Sequence, residues 1–362
     1  MSNPGILAPL KYSYSDARAR TMKGMLLGAE QLDELIRSNS IESMVELLQK
    51  TSYKDQIGEA ASLYRGSTMV EYAVTRNFAQ ITRKLIRIVP STDRGAVEAM
   101  LLKWDLLNLK TIIHAKQSGK TYEQIKPYLI PVGGLSEQDF QRLMKIDIKD
   151  VFREFASTKL GRTMLSAHGY KHAQKVRDAF KSSIRNLETF LKGEALMDSS
   201  MYALIEMKLN ATGSSGAGII SQVLKQEINA KNILIIQRLK KHGFGRAKIL
   251  ENIIPGGNLS QERINQLIDA KDIGDVLMIT KSIFPSVNVS DATTLEELEM
   301  SLEKAVAAIK ASAFHRSAFS FGTAIGYLML KAEEMNNIRK IAKAKEFGMD
   351  EQETRKLLII TG

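Results

Sequence analysis

The sequence predicts an all-α fold made of three internally repeated helical modules. Three observations carry this expectation. Residues 108–119 read "NLKTIIHAKQSG", residues 232–243 "NILIIQRLKKHG" and residues 337–348 "NIRKIAKAKEFG". Nowhere do Val, Ile and Thr alternate with polar residues over the length of a strand. Only seven prolines and 24 glycines occur in 362 residues, so long irregular loops are not expected.

Each repeated stretch reads as a basic helix that begins on an asparagine and stops at a glycine. Four positions are identical in all three: Asn108, Asn232 and Asn337; Ile112, Ile236 and Ile341; Lys116, Lys240 and Lys345; Gly119, Gly243 and Gly348. Three residues before each Asn stands a polar group, Asp105, Asn229 or Glu334. With Asn at zero and about 100° per residue, the offsets −3, +4, +8 and +11 fall at about 60°, 40°, 80° and 20°, on one face. The Gly stands where a helix C-terminus wants a left-handed residue. Asn itself is a poor helix-interior residue, because its amide competes for backbone hydrogen bonds. Two readings explain its threefold use. A buried Asn can bridge neighbouring helices through its donors and acceptor, with the residue three before it completing the bridge. Alternatively the face lines a central polar socket.

The repeat continues past the glycine. Residues 105–144 align with 229–268 without gaps, matching "IPVGGLS" (130–136) to "IPGGNLS" (254–260). Pro131 and Pro255 end a short helix, and Ser136 and Ser260 suit the N-cap of the next. "SEQDFQRLMKIDIKDVFREFAST" has an earlier relative in "AEQLDELIRSNSIESMVELLQKT" (29–51). Pairs of short helices are thus expected near 29–53, 136–159 and 260–283. Pairs of long helices alternate with them near 66–118, 172–242 and 294–347. A capping box from Thr294 to Glu297 opens the last pair. The modules fall at 1–118, 119–242 and 243–362. Three copies can close with pseudo-threefold symmetry or stack in an open row.

Composition excludes several function classes. Hydrophobic residues make up 44% of the chain, enough for real cores. The absence of cysteine excludes disulfides, thiolate metal sites and cysteine catalysis. "MSNPGILAPLKYSYSDAR" carries no apolar core of signal-peptide length. The longest uncharged apolar run, 317–330, lies between Arg316 and Lys331 and falls short of the roughly 20 residues a bilayer span needs. "GSSGAG" (213–218) lacks the Lys-Ser/Thr of a phosphate-binding loop and reads as the turn joining two long helices. His168 and His172 share a helix face, but no glutamate completes a zinc motif. No nucleophile elbow, kinase signature or dinucleotide fingerprint occurs. Catalytic, cofactor and metal residues are therefore expected to be absent. The net charge of +11 invites acidic partners, and a basic helical-repeat nucleic-acid binder is the alternative reading. Against it, aromatics are only 6% and Trp104 is the single tryptophan, too few for base-stacking platforms.

"GTAIGYLMLKAEEMNNIRKIAKAKEFG" (322–348), with Tyr327, Lys331, Glu334, Asn337, Arg339, Ile341 and Lys345, resembles the C-terminal signature of the C-type subunits of archaeal and bacterial A/V-type ATP synthases. That family is related to the d-type subunits of eukaryotic V-ATPases. "YSYSDARARTMKGMLL", with Tyr12, Ala17 and Arg18, resembles its N-terminal start. With the threefold repeat, the resemblance covers essentially the whole chain. It implies three similar helical modules arranged as a funnel, and no enzymatic activity of the chain's own. It further implies a rotor adaptor that joins the central stalk to the membrane proteolipid ring, coupling ATP synthesis or hydrolysis to hydrogen-ion or other ion transport. Such a protein is peripheral, on the cytoplasmic face of the cell membrane, with no nucleic-acid partner and no cofactor. The candidate site is the repeated face: Asp105, Asn108, Lys116, Asn229, Asn232, Lys240, Glu334, Asn337, Arg339 and Lys345, as internal bracing or as socket lining.

Overall fold

A computed structural model describes residues 4–166, 187–285 and 294–360 of the chain. Every regular element among them is helical, with no strand. The first helices are α1 (Pro4–Lys23), α2 (Ala29–Arg37), α3 (Ile41–Leu48), α4 (Lys54–Ala61) and α5 (Gly66–Ile88). There follow α6 (Ser91–Met100), α7 (Leu102–Gln117), α8 (Tyr122–Ile125), α9 (Glu137–Lys145), α10 (Val151–Ser157) and α11 (Lys159–Ser166). After residue 186 come α12 (Leu187–Asn210), α13 (Ser215–Lys241), α14 (Arg246–Glu251), α15 (Gln261–Asp269) and α16 (Ile273–Ile283). The chain ends with α17 (Leu295–Arg316), α18 (Phe321–Glu346) and α19 (Glu351–Leu357).

Local chemistry sets the starts of the short helices. The Ser40, Ser136 and Ser260 hydroxyls accept the N–H groups of Ser43, Asp139 and Arg263, each at 3.2 Å. These are donors that the first turn of a helix leaves without a partner. At α17 the Glu297 N–H donates to the Thr294 hydroxyl at 3.2 Å, and the Thr294 N–H to the Glu297 carboxylate at 3.1 Å. One expectation needs correction. Residues 66–118 hold three helices rather than a long pair. Pro90 offers no N–H and disfavours helical backbone before it, so α5 ends as Val89 turns extended (ψ 138°).

The chain divides into two compact units. The first spans 1–148 and 314–362 and therefore holds both chain ends. At its centre α18 packs on α5 and α1, with α2, α3, α6 and α19 against its other sides. So complete a cover explains why α18 is buried almost all round and shows no single apolar stripe. Gly326 lets the backbones meet, since a Cβ there would lie 2.7 Å from Phe314 Cα. Before α18, Phe319 takes a left-handed φ of 53°, costly for an aromatic residue. Asp16 of α1 holds that turn, accepting the Phe319 N–H at 3.0 Å and the Thr323 hydroxyl at 2.7 Å.

The second unit spans 149–313. Its core gathers Ile233, Ile236 and Leu239 of α13 with Leu267, Val276, Leu298 and Leu302. Helix α12 crosses close over α10, and a Cβ at Gly193 would lie 2.3 Å from the Phe152 ring. Gly213, at φ 61°, makes the turn into α13. The second half of "GSSGAG" is already the first turn of that helix rather than loop. His168 and His172 lie outside the described residues. Among the described residues no helix is long and apolar enough to cross a membrane, and no three His, Cys, Asp or Glu side chains could together hold a metal ion.

A repeated helix face as candidate functional site

Asn108, Asn232 and Asn337 lie inside α7, α13 and α18, not at a helix start as the short repeat suggested. All three are buried, at 1%, 2% and 3% exposure. Each amide exchanges two hydrogen bonds with the backbone of an isoleucine 22 residues later. Asn108 donates to the Ile130 carbonyl at 2.7 Å and accepts its N–H at 2.8 Å. Asn232 does the same to Ile254 at 2.9 and 2.8 Å, and Asn337 to Ile359 at 2.7 and 3.0 Å. These isoleucines follow helical turns in irregular chain; the Ile130 carbonyl also accepts the Val132 N–H at 3.0 Å, whereas the asparagine is the partner that serves both backbone groups of Ile254 and Ile359 in the core. A primary amide supplies one donor and one acceptor side by side, which neither a carboxylate nor a hydroxyl does in that geometry.

The residue one turn earlier grips the start of a short helix. Asp105 accepts the N–H groups of Gly134 at 2.7 Å and Leu135 at 3.1 Å, one per carboxylate oxygen, just ahead of α9. Burial pushes the Asp105 carboxyl up from 3.8 to about 7, against the opposing pull of those two N–H groups. Asn229, before α15, accepts the Asn258 N–H at 3.0 Å, and its own amide donates to the Asn258 side-chain oxygen. The two solutions are complementary. Gly134 offers only an N–H, so the first copy needs two acceptors. Asn258, at the equivalent position, brings its own acceptor, so the second copy needs an amide. The backbone rides directly over these side chains: a Cβ at Gly133 would lie 2.0 Å from Asp105 and one at Gly257 2.6 Å from Asn229.

The third copy reaches the other end of the chain. Glu334 accepts the Leu27 N–H at 2.7 Å, just ahead of α2, and the buried Tyr53 hydroxyl at 2.8 Å. It also pairs with Lys331 at 2.5 Å. Lys331 is only 2% exposed, donates to the Tyr53 hydroxyl at 2.9 Å and lies 4.3 Å from that ring's centre. Burial pulls the Lys331 amine below its usual value, opposed by Glu334.

The repeated lysines close the far ends of the same short helices. Lys116 donates to the Met144 carbonyl of α9 at 2.7 Å, and Lys240 to the Ala270 carbonyl after α15 at 2.6 Å. Lys345 donates to the Ile36 carbonyl of α2 at 2.8 Å and also to Ser38. A cation beside terminal carbonyls complements the negative end of a helix dipole. Partial burial pulls all three amines below the usual lysine value. Gly119, Gly243 and Gly348 adopt φ of 65°, 76° and 66°. The residue after each bonds back to the carbonyl five positions earlier, Lys120 to Ala115, Phe244 to Leu239 and Met349 to Ala344, as in a Schellman motif.

Nine of the ten predicted residues thus fall into three groups, each holding a short helix at both ends. Arg339 stands apart, paired with the buried Glu71 of α5. Sequence reasoning missed Leu27, Tyr53, Glu71 and the glycines at 133 and 257. The signal for three of them was present. Leu27–Gly28 precedes α2 as Leu135–Ser136 precedes α9, and a paired glycine follows the proline in both "IPVGG" and "IPGG". The face carries no nucleophile–base pair; its polar groups are engaged with backbone and with one another.

Residues 15–357 match the family model described as ATP synthase (C/AC39) subunit. A relative from Methanococcoides burtonii, named as the C-type subunit of an A-type ATP synthase, is 26% identical over 354 residues, covering 96% of this chain and 94% of its own. Its namesake from Archaeoglobus fulgidus is 24% identical and covers 96% of both chains. One from Pyrococcus furiosus is 26% identical, covering 92% of this chain and 86% of its own. The family match at residues 15–357 includes all three repeated asparagines, and the chain belongs to the ATP synthase (C/AC39) subunit family.

Proposed function

We propose that the chain is the rotor adaptor of an A/V-type ATP synthase, joining the central stalk to the membrane proteolipid ring at the cytoplasmic face of the membrane. The observation that carries this reading is the family match across residues 15–357. As a member, the chain is a structural subunit of the complex and not its catalytic one. The relatives are all named as subunits of A-type ATP synthases, and nothing in the match favours the nucleic-acid alternative. The geometry supports an adaptor that transmits torque. Such a part must resist shear, and each asparagine face ties a long helix to both ends of a short one, through a buried carboxyl or amide at the start and a lysine cation at the far end. On this reading the repeated residues brace three modules, 1–118, 119–242 and 243–362, which close into a funnel. Residues 27–53 complete the third from the opposite chain end. Stalk and ring then dock on surfaces other than this face.

A reconstituted complex lacking the chain provides the test. ATP hydrolysis should persist while ion movement per ATP collapses. Ion pumping at the normal ratio to hydrolysis would refute the coupling role.

A further inference from the structure

In the first unit, α4, α5 and the chain around α8 and α9 enclose a polar cleft of about 390 Å³. Its walls include Glu59, Arg76, Gln80, Arg83, Lys126 and Glu137. The wall carboxylates already have partners. Glu59 accepts the Tyr72 hydroxyl at 2.9 Å. Glu137 accepts the Tyr122 hydroxyl at 3.0 Å and pairs with Lys126 at 3.5 Å. The donors stand differently. A relay of amides fixes Gln80: Asn77 donates to the Gln56 oxygen at 2.9 Å, and Gln56 donates to the Gln80 oxygen at 2.8 Å. With its oxygen engaged, Gln80 has its amide N–H groups left to offer a ligand. Arg76 lies 4.9 Å from the centre of the Tyr72 ring. Arg83, two turns further along the same face of α5, is exposed and has no ion pair or hydrogen bond among the described residues.

The groups left over are therefore donors and cations, and a ligand must bring acceptors. The Arg83 fork beside the Gln80 amide suits an oxyanion, which Arg binds through two parallel bonds, and Arg76, engaged with Tyr72 and Glu137, adds positive charge. We infer that this cleft receives acidic side chains, Asp or Glu, presented by another subunit of the complex. The inference rests on the proposed role within that complex. A protein segment fits better than a free anion because Arg83 reaches open solvent at the rim, and the chain's +11 charge steers acidic partners toward it.

The test uses the full chain and a fluorescently labelled hexaglutamate peptide, followed by anisotropy at low and at physiological ionic strength, with inorganic phosphate as competitor. Arg83→Glu should weaken peptide binding roughly tenfold or more, and Arg83→Lys by less, because it keeps the charge and loses the fork. Lys84→Glu, an equal charge change at the neighbouring exposed position, should leave binding within about threefold. Equal losses for Arg83→Glu and Lys84→Glu would mean diffuse attraction and overturn the site. So would displacement of the peptide by phosphate at an equal or lower concentration, which would make the cleft a free-anion site. Loss of the cleft reading leaves the coupling assay untouched, and failure of that assay leaves the peptide result untouched, so the two readings fall separately.

Discussion

Truncating Asn232 to alanine tests the central structural idea most directly. The side chain is 2% exposed and serves both backbone groups of Ile254, which is itself 1% exposed. Its removal leaves one N–H and one C=O buried without partners, at 2.8 and 2.9 Å from where the amide atoms stood. Each orphaned group costs about 1–3 kcal/mol, so the pair costs about 2–6 kcal/mol, the lower end applying if water enters the gap. For a unit of this size that lowers the midpoint of thermal unfolding by on the order of 10 °C. Far-UV circular dichroism during heating measures it. The transition of the second unit should move, because Asn232 and Ile254 both lie there, while Asn108→Ala and Asn337→Ala should move that of the first. Asn232→Asp is the sharper control. It keeps the volume and the acceptor for the Ile254 N–H but sets a carboxylate oxygen against the Ile254 carbonyl. It should be at least as destabilising as alanine near neutral pH. A change within about 0.5 kcal/mol for alanine, the usual range for surface sites, or native stability for aspartate, would refute the paired-amide account.

Three further outcomes follow from the same geometry. Gly257→Ala would place a Cβ 2.6 Å from the Asn229 oxygen and should cost about 1–3 kcal/mol in denaturant unfolding. Asp105 holds a proton in the folded chain that the unfolded chain has lost between pH 3.8 and about 7. Its contribution is therefore complete below the unfolded value and falls as pH rises through the folded one. Asp105→Asn should flatten stability against pH over that window while destabilising the chain, and adding Gly134→Asn should restore part of the loss by copying the Asn229–Asn258 pair. Lys331→Met leaves Glu334 buried without its cation and should cost about 3–5 kcal/mol. Lys331→Met combined with Glu334→Gln should cost less than the sum of the two single changes, and a strictly additive result would mean the two groups do not interact.

What the sequence disclosed was what depends on near neighbours. The one-sided face of Asn, Ile and Lys, the glycine that ends each repeat and the serine caps all arise from contacts within one or two turns, so spacing alone exposes them. The Pro90 break was equally local, but the expectation of a long helix pair over 66–118 overran it. The partners of the face were not visible, because Ile130, Ile254 and Ile359 lie 22 residues away and offer only backbone, which no side-chain pattern records. Lys331 read as the charged end of an apolar run, whereas Glu334 and the Tyr53 hydroxyl make its burial tolerable. Tyr53 lies 278 residues from Lys331 in the chain.

The third face argues most strongly for closure within the first unit. In the first two copies the short helix that a face holds follows it closely in sequence, so a local hairpin would bring the two together. In the third, Glu334 and Lys345 hold the two ends of α2, 307 and 309 residues away through Leu27 and Ile36. No local folding event can deliver that contact. Yet it uses the same helix offsets and the same helix ends as the other two. Its register was therefore specified by the repeated face and by the Leu-Gly/Ser start that α2 shares with its relatives, not by proximity along the chain. The cost of joining the chain ends grows only slowly with loop length, and the grip of Glu334, Asn337 and Lys345, together with the burial of Tyr53 and Lys331, is what holds them.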